Sequence, residues 1–159
     1  MFKYTICFIK KEDKILLLNR EKSSWMGSWN GVGGKIEKRE SPTECILREV
    51  FEETGIKLSD VKYKGVVTWT VDNILRGGMY AFTVEVPANF AYETPRKVTE
   101  GILDWKDISW ILHPENTGVA ANLPKYLPKM LNDNTRYNHI CIFKNGLLQD
   151  VKSVSLKDQ

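Results

Sequence analysis

The sequence predicts one domain of the α+β class, and three observations carry that prediction. Residues 2–10 alternate polar and apolar side chains, which is typical of a half-buried strand, and residues 14–20 continue with a second apolar run. Residues 42–54 carry helix signals at both ends, and strand-like segments follow them. The chain has 159 residues, which suits a single domain and leaves no room for a second full one.

Turn and cap signals divide the first half of the chain. The polar residues 11–13 join the two opening strands, and residues 21–34 contain four glycines without any periodicity, which predicts a structured loop. Ser41 is a favourable helix N-cap, and Glu44 completes a capping box with it. Gly55 supplies the stop signal, so the helix is expected to end just before it.

Strand signals return after this helix. Residues 61–71 and 79–86 are rich in β-branched and aromatic side chains. Turn-forming residues at 72–73 and 77–78 separate them, so we expect two strands joined by that turn. A shorter strand is expected at 101–106.

The last third of the chain predicts one helix and one hairpin. Residues 117–131 have helical spacing interrupted by Pro124 and Pro128, so a broken or late-starting helix is expected. Residues 138–154 predict a hairpin that turns at Asn145-Gly146. Strands, then a helix, then more strands is an order typical of α+β domains.

The composition excludes several classes of protein. Hydrophobic residues make up 42% and charged residues 27% of the chain, which is typical of a globular domain and not of a disordered one. The formal net charge of +3 is small, and the charges are scattered, so a protein that coats nucleic acid is not expected. An anionic small substrate is compatible with this balance.

Three cysteines, Cys7, Cys45 and Cys141, stand at wide spacings that match no zinc or redox motif. We expect buried thiols in a reducing compartment. The longest apolar run near the start, residues 15–18, is too short for a signal peptide or a transmembrane helix. A cytoplasmic location is therefore expected.

The predicted helix carries an acidic face. Glu49, Glu52 and Glu53 stand at positions i, i+3 and i+4, so their carboxylates lie on one side. Such like-charged pairs destabilise a helix by roughly 0.2–0.5 kcal/mol each, and a bound Mg²⁺ or Mn²⁺ would reverse that penalty. A solvated acidic helix face is the alternative. The opposite side of the helix carries Leu47, Val50, Phe51 and Thr54.

The residues around this face decide between the two interpretations. Residues 34–56 resemble the Nudix box, Gx5Ex7REUxEExGU with U aliphatic, at every fixed position. The resemblance implies a Nudix hydrolase, an enzyme that cleaves a nucleoside diphosphate linked to another group. It implies an α/β/α sandwich with a mixed sheet between helices, formed by residues 1–159 as one domain. It also implies Mg²⁺, or Mn²⁺, as cofactor, and it leaves the oligomeric state open.

The same resemblance assigns roles to residues of the box. Glu49, Glu52 and Glu53 match the metal-binding glutamates, and the carbonyl of Gly33, just before the box, is often a further ligand. Arg48 matches the arginine that orients these carboxylates through charge-assisted hydrogen bonds. The remaining box glutamate, Glu40, has a supporting role.

A second resemblance extends beyond the box. Residues 29–37 and 100–105 are similar to MutT-type enzymes that hydrolyse oxidised purine nucleoside triphosphates such as 8-oxo-dGTP. In similar enzymes a glutamate at the position of Glu100 binds a metal or acts as general base, although an exposed loop acid would look the same. Lys35 and Arg20 could neutralise phosphate, or could be ordinary surface cations.

The nucleobase requires different chemistry from the phosphates. Because 8-oxoguanine carries a donor at N7 where guanine carries an acceptor, an amide side chain can separate them. Asn30 and Asn116 are the candidates, and each could instead be a turn residue. His113 and His139 have no second ligand nearby in the sequence, so we expect structural roles for them. One tryptophan is expected to stack on the base, among Trp25, Trp29, Trp69, Trp105 and Trp110.

Together these residues predict metal-dependent hydrolysis of an oxidised purine nucleoside triphosphate to the monophosphate and pyrophosphate. This is a reaction of nucleotide-pool sanitation and hence of DNA repair. The box does not separate it from hydrolysis of a nucleotide sugar, a dinucleoside polyphosphate or a capped RNA. A non-catalytic nucleotide sensor could lose box glutamates, whereas all are present here. An isomerase built on this fold would need further catalytic residues, including a cysteine. A small-molecule nucleotide is the expected partner, with neither a membrane nor a stable nucleic-acid complex.

Overall fold

The computed structural model describes residues 1–22 and 25–156, so Ser23 and Ser24 of the predicted loop 21–34 lie outside the described residues. Within them the chain forms one mixed sheet with helices on both faces, which confirms the predicted α/β/α sandwich. The elements are β1 (Tyr4–Lys11), β2 (Lys14–Arg20), β3 (Trp29–Asn30), α1 (Pro42–Thr54), β4 (Lys62–Val71), β5 (Ile74–Val86), β6 (Arg96–Val98), β7 (Gly101–Asp107), α2 (Ile108–Leu112), α3 (Leu123–Asn132), β8 (Tyr137–Lys144) and β9 (Leu147–Ser155).

The strand order is β6-β7-β2-β1-β5-β4-β8-β9, and the short β3 pairs with β2. β1 pairs with β5 in parallel, and so does β4 with β8, whereas the other neighbours are antiparallel. Each of the central strands β1, β5 and β4 is therefore paired with another strand along both of its edges.

Alternate residues of the central strands enter two separate cores, as the period of two requires. Cys7 and Ile9 of β1 face α1, where they pack with Ile46 and Val50. The intervening Ile6 and Phe8 face the opposite layer, formed by α2 and α3. This alternation places α1 and α3 on opposite faces of the same strands.

The helix α1 begins and ends where the sequence predicts. The Ser41 hydroxyl accepts a hydrogen bond from the Glu44 amide at 3.1 Å, and the Glu44 carboxylate accepts one from the Ser41 amide at 2.9 Å. Gly55 ends the helix in the left-handed conformation, with φ 78°, and donates to the Phe51 carbonyl at 2.8 Å. Glycine tolerates this conformation because it lacks a Cβ.

The burial of two side chains on α1 differs from what the helical spacing predicts. Phe51, expected on the side opposite the acids, is 53% exposed, whereas Glu53 is only 5% exposed. Burial on α1 follows the line through Cys45, Ile46 and Val50, which faces the sheet. The acidic side of the helix is therefore partly inside the protein.

The second half shows one wrong expectation and several confirmed ones. The predicted turn at 77–78 is wrong, because both glycines lie inside β5, where a Cβ would collide with the ring of Trp69 or of Phe2. The late-starting helix is confirmed, since α3 begins at Leu123 with Pro124 in its first turn. The hairpin about 145–146 is confirmed. The structure also contains β3, β6 and α2, which the sequence did not predict.

The three cysteines are free and buried, as expected. His139 is buried too, and its Nδ1 lies 2.7 Å from the hydroxyl of Ser153, so it is part of the packing of α3 against the sheet. Within the described residues, no helix combines the length and apolar character needed to cross a membrane.

We expect Ser41→Ala to lower the free energy of unfolding by about 1 kcal/mol, because α1 loses the hydroxyl that accepts from the Glu44 amide. Urea denaturation followed by circular dichroism measures this change. Thr43→Ala, in the first turn of the same helix, is the matched control and should stay within about 0.5 kcal/mol of wild type. Equal stability of both variants would contradict the role of the cap.

Candidate functional site

The site is built where a glycine-rich segment passes between β1 and α1. The Thr5 amide donates to the Gly34 carbonyl at 2.9 Å, and the Cys7 amide donates to the Val32 carbonyl at 2.7 Å, so this segment runs along β1. A Cβ on Gly33 would collide with the backbone of Thr5, and one on Gly34 would collide with the carboxylate of Glu49. Glycine is therefore required at position 33 for the close approach to β1, and at position 34 it leaves the space that the Glu49 carboxylate occupies.

Glu53 is anchored to this segment. Its Oε1 accepts a hydrogen bond from the Gly33 amide at 3.0 Å. Burial raises the pKa of the Glu53 carboxyl to about 8; the Gly33 amide opposes this, the charges of Glu49 and Glu100 add to it, and Arg20 opposes it. The charges of Glu49, Glu100 and Arg20 thus act on Glu53, although these residues come from separate parts of the chain.

Arg48 connects the remaining acids of the box. Its Nε and Nη2 donate to the two carboxylate oxygens of Glu40, at 2.6 and 2.8 Å. Its Nη1 donates to Glu49 at 2.9 Å and to Glu52 at 3.2 Å. The hydrogen bond from Arg48 holds the pKa of Glu40 at about 2, well below its usual range. Its Nη2 also reaches the carbonyl of Lys35, at 3.1 Å, which ties the helix to the glycine-rich segment.

These contacts correct one part of the sequence analysis. Glu49 and Glu52 are not uncompensated anions, because one arginine nitrogen lies between them. Glu53 accepts from a backbone amide instead. Each of the three acidic side chains therefore has a different environment, although all three belong to one helix face.

The donor set fits a divalent cation of the Mg²⁺ type. Such ions prefer carboxylate and carbonyl oxygens, and the carboxylates of Glu49 and Glu53 lie beside Gly33 and Gly34. The pKa of Glu53 is raised chiefly by burial, and the charge of Arg20 does not offset that effect. In the part of the chain that the structure describes, no three acidic, cysteine or histidine side chains already converge as a preformed metal cluster. Glu49 and Glu52 would have to exchange Arg48 contacts for the ion.

A cleft of about 590 Å³ opens beside Gly33 and Gly34, within the size range of small-molecule sites. Arg20 and Asn30, two of the residues predicted to bind substrate, line it. The Nε of Arg20 is buried and has no hydrogen-bond partner among the described residues. Three large apolar side chains also line the cleft: Trp69, Met79 and Phe143.

Asn122 is a cleft residue that sequence reasoning missed. It precedes α3, is 5% exposed, and donates through Nδ2 to the sulfur of Cys141 at 3.5 Å. Its Oδ1 has no partner among the described residues and its side chain lines the cleft. An asparagine just before Leu-Pro is a helix-start signal, but here the side chain makes no capping bond. That departure is visible only in three dimensions.

Of the two roles that the sequence left open for Asn116, the structure shows that of a turn residue. Its Nδ2 donates to the Trp110 carbonyl at 2.7 Å, and its Oδ1 accepts from the Gly118 amide at 2.9 Å. Both ends of the amide therefore stabilise the loop between α2 and α3. Asn116 is absent from the described lining of the cleft, which leaves Asn30 and Asn122 as the asparagines that face it.

Two further candidates, Lys35 and Glu100, differ in burial. Lys35 is exposed, and its backbone carbonyl accepts a hydrogen bond from Arg48. Glu100 is half-buried, its carbonyl accepts from the Glu21 amide at 3.1 Å, and its charge contributes to the raised pKa of Glu53. The fold thus places Glu100 near Glu53, whereas Lys35 is not among the residues that line the cleft.

Two of the five tryptophans, Trp25 and Trp69, line the cleft. The ring of Trp69 occupies the space left by Gly77. The other three contact side chains or backbone of the protein itself: Trp29, Trp105 and Trp110.

Comparison with known proteins agrees with this geometry. YvcI of Bacillus subtilis, an uncharacterized Nudix hydrolase, is 34% identical over 108 residues, which cover 66% of this chain and 65% of YvcI. The NAD-capped RNA hydrolase NudC of Photobacterium profundum is 28% identical over 124 residues, covering 78% of this chain and 40% of NudC. The chain thus spans less than two thirds of either relative.

The fold has close counterparts among solved structures. The crystal structure of a MutT protein from Bacillus halodurans superposes with a TM-score of 0.74, at 24% identity, over 96% of this chain and 97% of that one. The model of the NUDIX domain matches residues 3–130, which include β1, the box helix and most of α3. The chain therefore belongs to the Nudix family.

Proposed function

We propose that this protein is a metal-dependent hydrolase of nucleoside diphosphates linked to another group. The observation that carries the proposal is the Gly33–Glu53 hydrogen bond, which holds a buried carboxylate beside Glu49 at the edge of the cleft. A solvated acidic helix face would need neither the burial of Glu53 nor glycine at both positions.

In the proposed reaction, water attacks one phosphorus of the phosphoanhydride, and the bond from that phosphorus to the bridging oxygen breaks. The bridging oxygen leaves with the other phosphate group, and no covalent enzyme intermediate forms. Glu49, Glu52 and Glu53, with the Gly33 carbonyl, would hold Mg²⁺ or Mn²⁺, which would neutralise phosphate charge and acidify the water. Glu53 or Glu100 accepts the proton from the water. Before the ion binds, Arg48 orients the carboxylates of Glu49 and Glu52 through its two hydrogen bonds, and these contacts would be exchanged for the ion.

The proposed substrate is a purine nucleoside triphosphate, in particular an oxidised one such as 8-oxo-dGTP, with the monophosphate and pyrophosphate as products. Arg20 supports this, because its buried Nε would gain a partner from a phosphate in the cleft. Lys35 would add charge from the surface. The asparagines Asn30 and Asn122 would contact the base edge, with Trp25 or Trp69 stacking on its face. This activity would serve nucleotide-pool sanitation and DNA repair in the cytoplasm.

A second candidate is hydrolysis of a dinucleotide pyrophosphate such as an NAD cap on RNA. The similarity to NudC favours this candidate, and so does a cleft that is lined by both polar and large apolar side chains. Steady-state kcat/KM for 8-oxo-dGTP, dGTP, ADP-ribose, NAD⁺ and a dinucleoside tetraphosphate, measured side by side with Mg²⁺, separates these classes. Preference for NAD⁺ over 8-oxo-dGTP would replace the first candidate by the second.

We expect Glu52→Gln and Glu53→Gln each to lower kcat by about a hundredfold or more, because an amide of the same shape cannot offset the charge of Mg²⁺. Steady-state hydrolysis at saturating Mg²⁺ measures the effect. Glu44→Gln is the matched control: it removes the same charge from the same helix, and glutamine also forms a capping box. Near wild-type turnover of both site variants would remove the metal assignment.

Glu53 should also make stability depend on pH in the metal-free protein. Its folded-state pKa of about 8 lies above the ordinary 4.5, so between these values the unfolded chain releases a proton that the folded protein keeps. The contribution of Glu53 to stability therefore decreases as pH rises from 4.5 to 8.

The variant Glu53→Gln lacks this dependence. With a chelator present, it should exceed wild type in free energy of unfolding by about 1 kcal/mol or more at pH 8, and the difference should shrink toward pH 4.5. Added Mg²⁺ at pH 8 should stabilise wild type more than the variant. A difference that is independent of both pH and Mg²⁺ would contradict a carboxyl poised for a cation.

The asparagines should control selectivity for the base. Asn122→Ala and Asn30→Ala should lower kcat/KM more for 8-oxo-dGTP than for dGTP, because dGTP presents a lone pair at N7 where 8-oxo-dGTP presents a donor. The expected difference is roughly 1–3 kcal/mol, or about fivefold to 150-fold.

Asn116→Ala, at the other asparagine that the sequence suggests together with Asn30, is the matched comparison. Because its amide is committed to the loop, any loss should be equal for the two nucleotides. Equal losses, or none, in all three variants would refute readout by asparagine, and a selective loss in Asn116→Ala alone would return the role to that residue.

A further inference from the structure

A second cavity, of about 180 Å³, lies at the other end of the central strands from the cleft. Tyr4, at the start of β1, lines the cleft, whereas Lys10, near its end, lines this second cavity. Six residues of a strand span about 20 Å, so the two sites are well separated. The end of α3 closes the cavity with Met130 and Leu131.

Three lysines line this cavity: Lys10, Lys62 and Lys64. Lys64 is the most unusual, since it is 3% exposed and its ammonium donates to the carbonyl of Asp133. No carboxylate within 4.0 Å of that ammonium occurs in residues 1–22 and 25–156. A lysine is almost never this buried without a paired anion.

The other two lysines also keep capacity to bind an anion. Lys62 donates to the amide oxygen of Asn134 at 3.0 Å, which is a neutral partner. Lys10 pairs with Glu85 at 3.2 Å, but the side chain of Glu85 is 68% exposed, so this ion pair is weak and easily rearranged.

The acidic residue beside Lys64 does not neutralise it. The carboxylate of Asp133 accepts from the Tyr137 hydroxyl and from the Thr135 amide. Burial and the charges of Lys62 and Arg136 lower the pKa of Lys64, against the opposing effect of Asp133. The cavity thus has a surplus of positive charge around one buried ammonium.

We propose that this cavity binds a small multivalent oxyanion of the phosphate class, inorganic phosphate or pyrophosphate. A phosphate oxygen would supply the anionic partner that Lys64 lacks, and charge-assisted hydrogen bonds to Lys62 and Lys10 would add to it. The volume equals about six water molecules at roughly 30 Å³ each, which accommodates such an anion. It is well below the roughly 300 Å³ at which pockets for nucleotide-sized ligands begin.

The test is calorimetric titration of the full chain with phosphate and pyrophosphate, in the presence of a chelator and at constant ionic strength. Each titration is made in an Arg20→Met background, which removes the cation that faces the cleft. Binding should weaken about tenfold or more in Lys64→Met and in Lys62→Met. Lys125→Met, on the exposed side of α3, is the matched control and should bind as the parent does.

Two results would overturn the proposal: absence of measurable binding in the parent, or equal binding in all lysine variants. A third arm uses a 5′-phosphorylated RNA oligonucleotide, and Lys64-dependent binding seen only with RNA would replace the small anion by a nucleic-acid backbone. Should Lys64→Met fail to fold, Lys62→Met and Lys10→Met carry the test, because both side chains reach solvent. No hydrolysis takes place in this experiment, so its result is independent of the proposed enzymatic activity.

Discussion

The contact of Gly33 and Gly34 with β1 on one side and α1 on the other is the constraint on which the site depends. A side chain at Gly33 would collide with the backbone of β1, and one at Gly34 would displace the carboxylate of Glu49. With both absent, the Gly33 amide reaches Glu53 and the carboxylate of Glu49 lies against Gly34. The carboxylates of one helix are thereby held beside a cleft formed by other parts of the chain, and a buried Glu53 is tolerated because it has a backbone donor.

Arg48 provides the opposing charge that this arrangement requires. A planar guanidinium can serve several carboxylates at once, and here it binds Glu40 with two nitrogens while a third reaches Glu49 and Glu52. A lysine would supply a single point of charge and could not bridge them in this geometry. The cluster is therefore held together before any cation arrives, and its electrostatic cost is concentrated on Glu53, which Arg48 does not contact.

Helix α3 lies between the cleft and the lysine-lined cavity. It starts at Asn122, in the wall of the cleft, and ends beside the lysine-lined cavity. At its start the buried Oδ1 of Asn122 has no hydrogen-bond partner among the described residues. Beyond its end the buried ammonium of Lys64 donates to the Asp133 carbonyl but has no carboxylate within 4.0 Å in that part of the chain. Proteins rarely bury a polar atom without a partner or a charge without an opposite charge, and a ligand would supply the missing group in each proposal.

The sequence by itself determined the box helix, its caps, the opening strand pair and the final hairpin, because these depend on signals within a few residues: Ser41 with Glu44, the alternation in β1, and the turn at Asn145-Gly146. Only the tertiary structure decided which asparagine faces the cleft. Asn30 and Asn116 look equally suitable in the sequence, but the loop between α2 and α3 uses both ends of the Asn116 amide, whereas Asn30 lines the cleft together with Asn122, which the sequence did not indicate. Burial of Glu53 and of Lys64 was likewise decided by elements distant in sequence, and burial is what sets the charge behaviour of both groups.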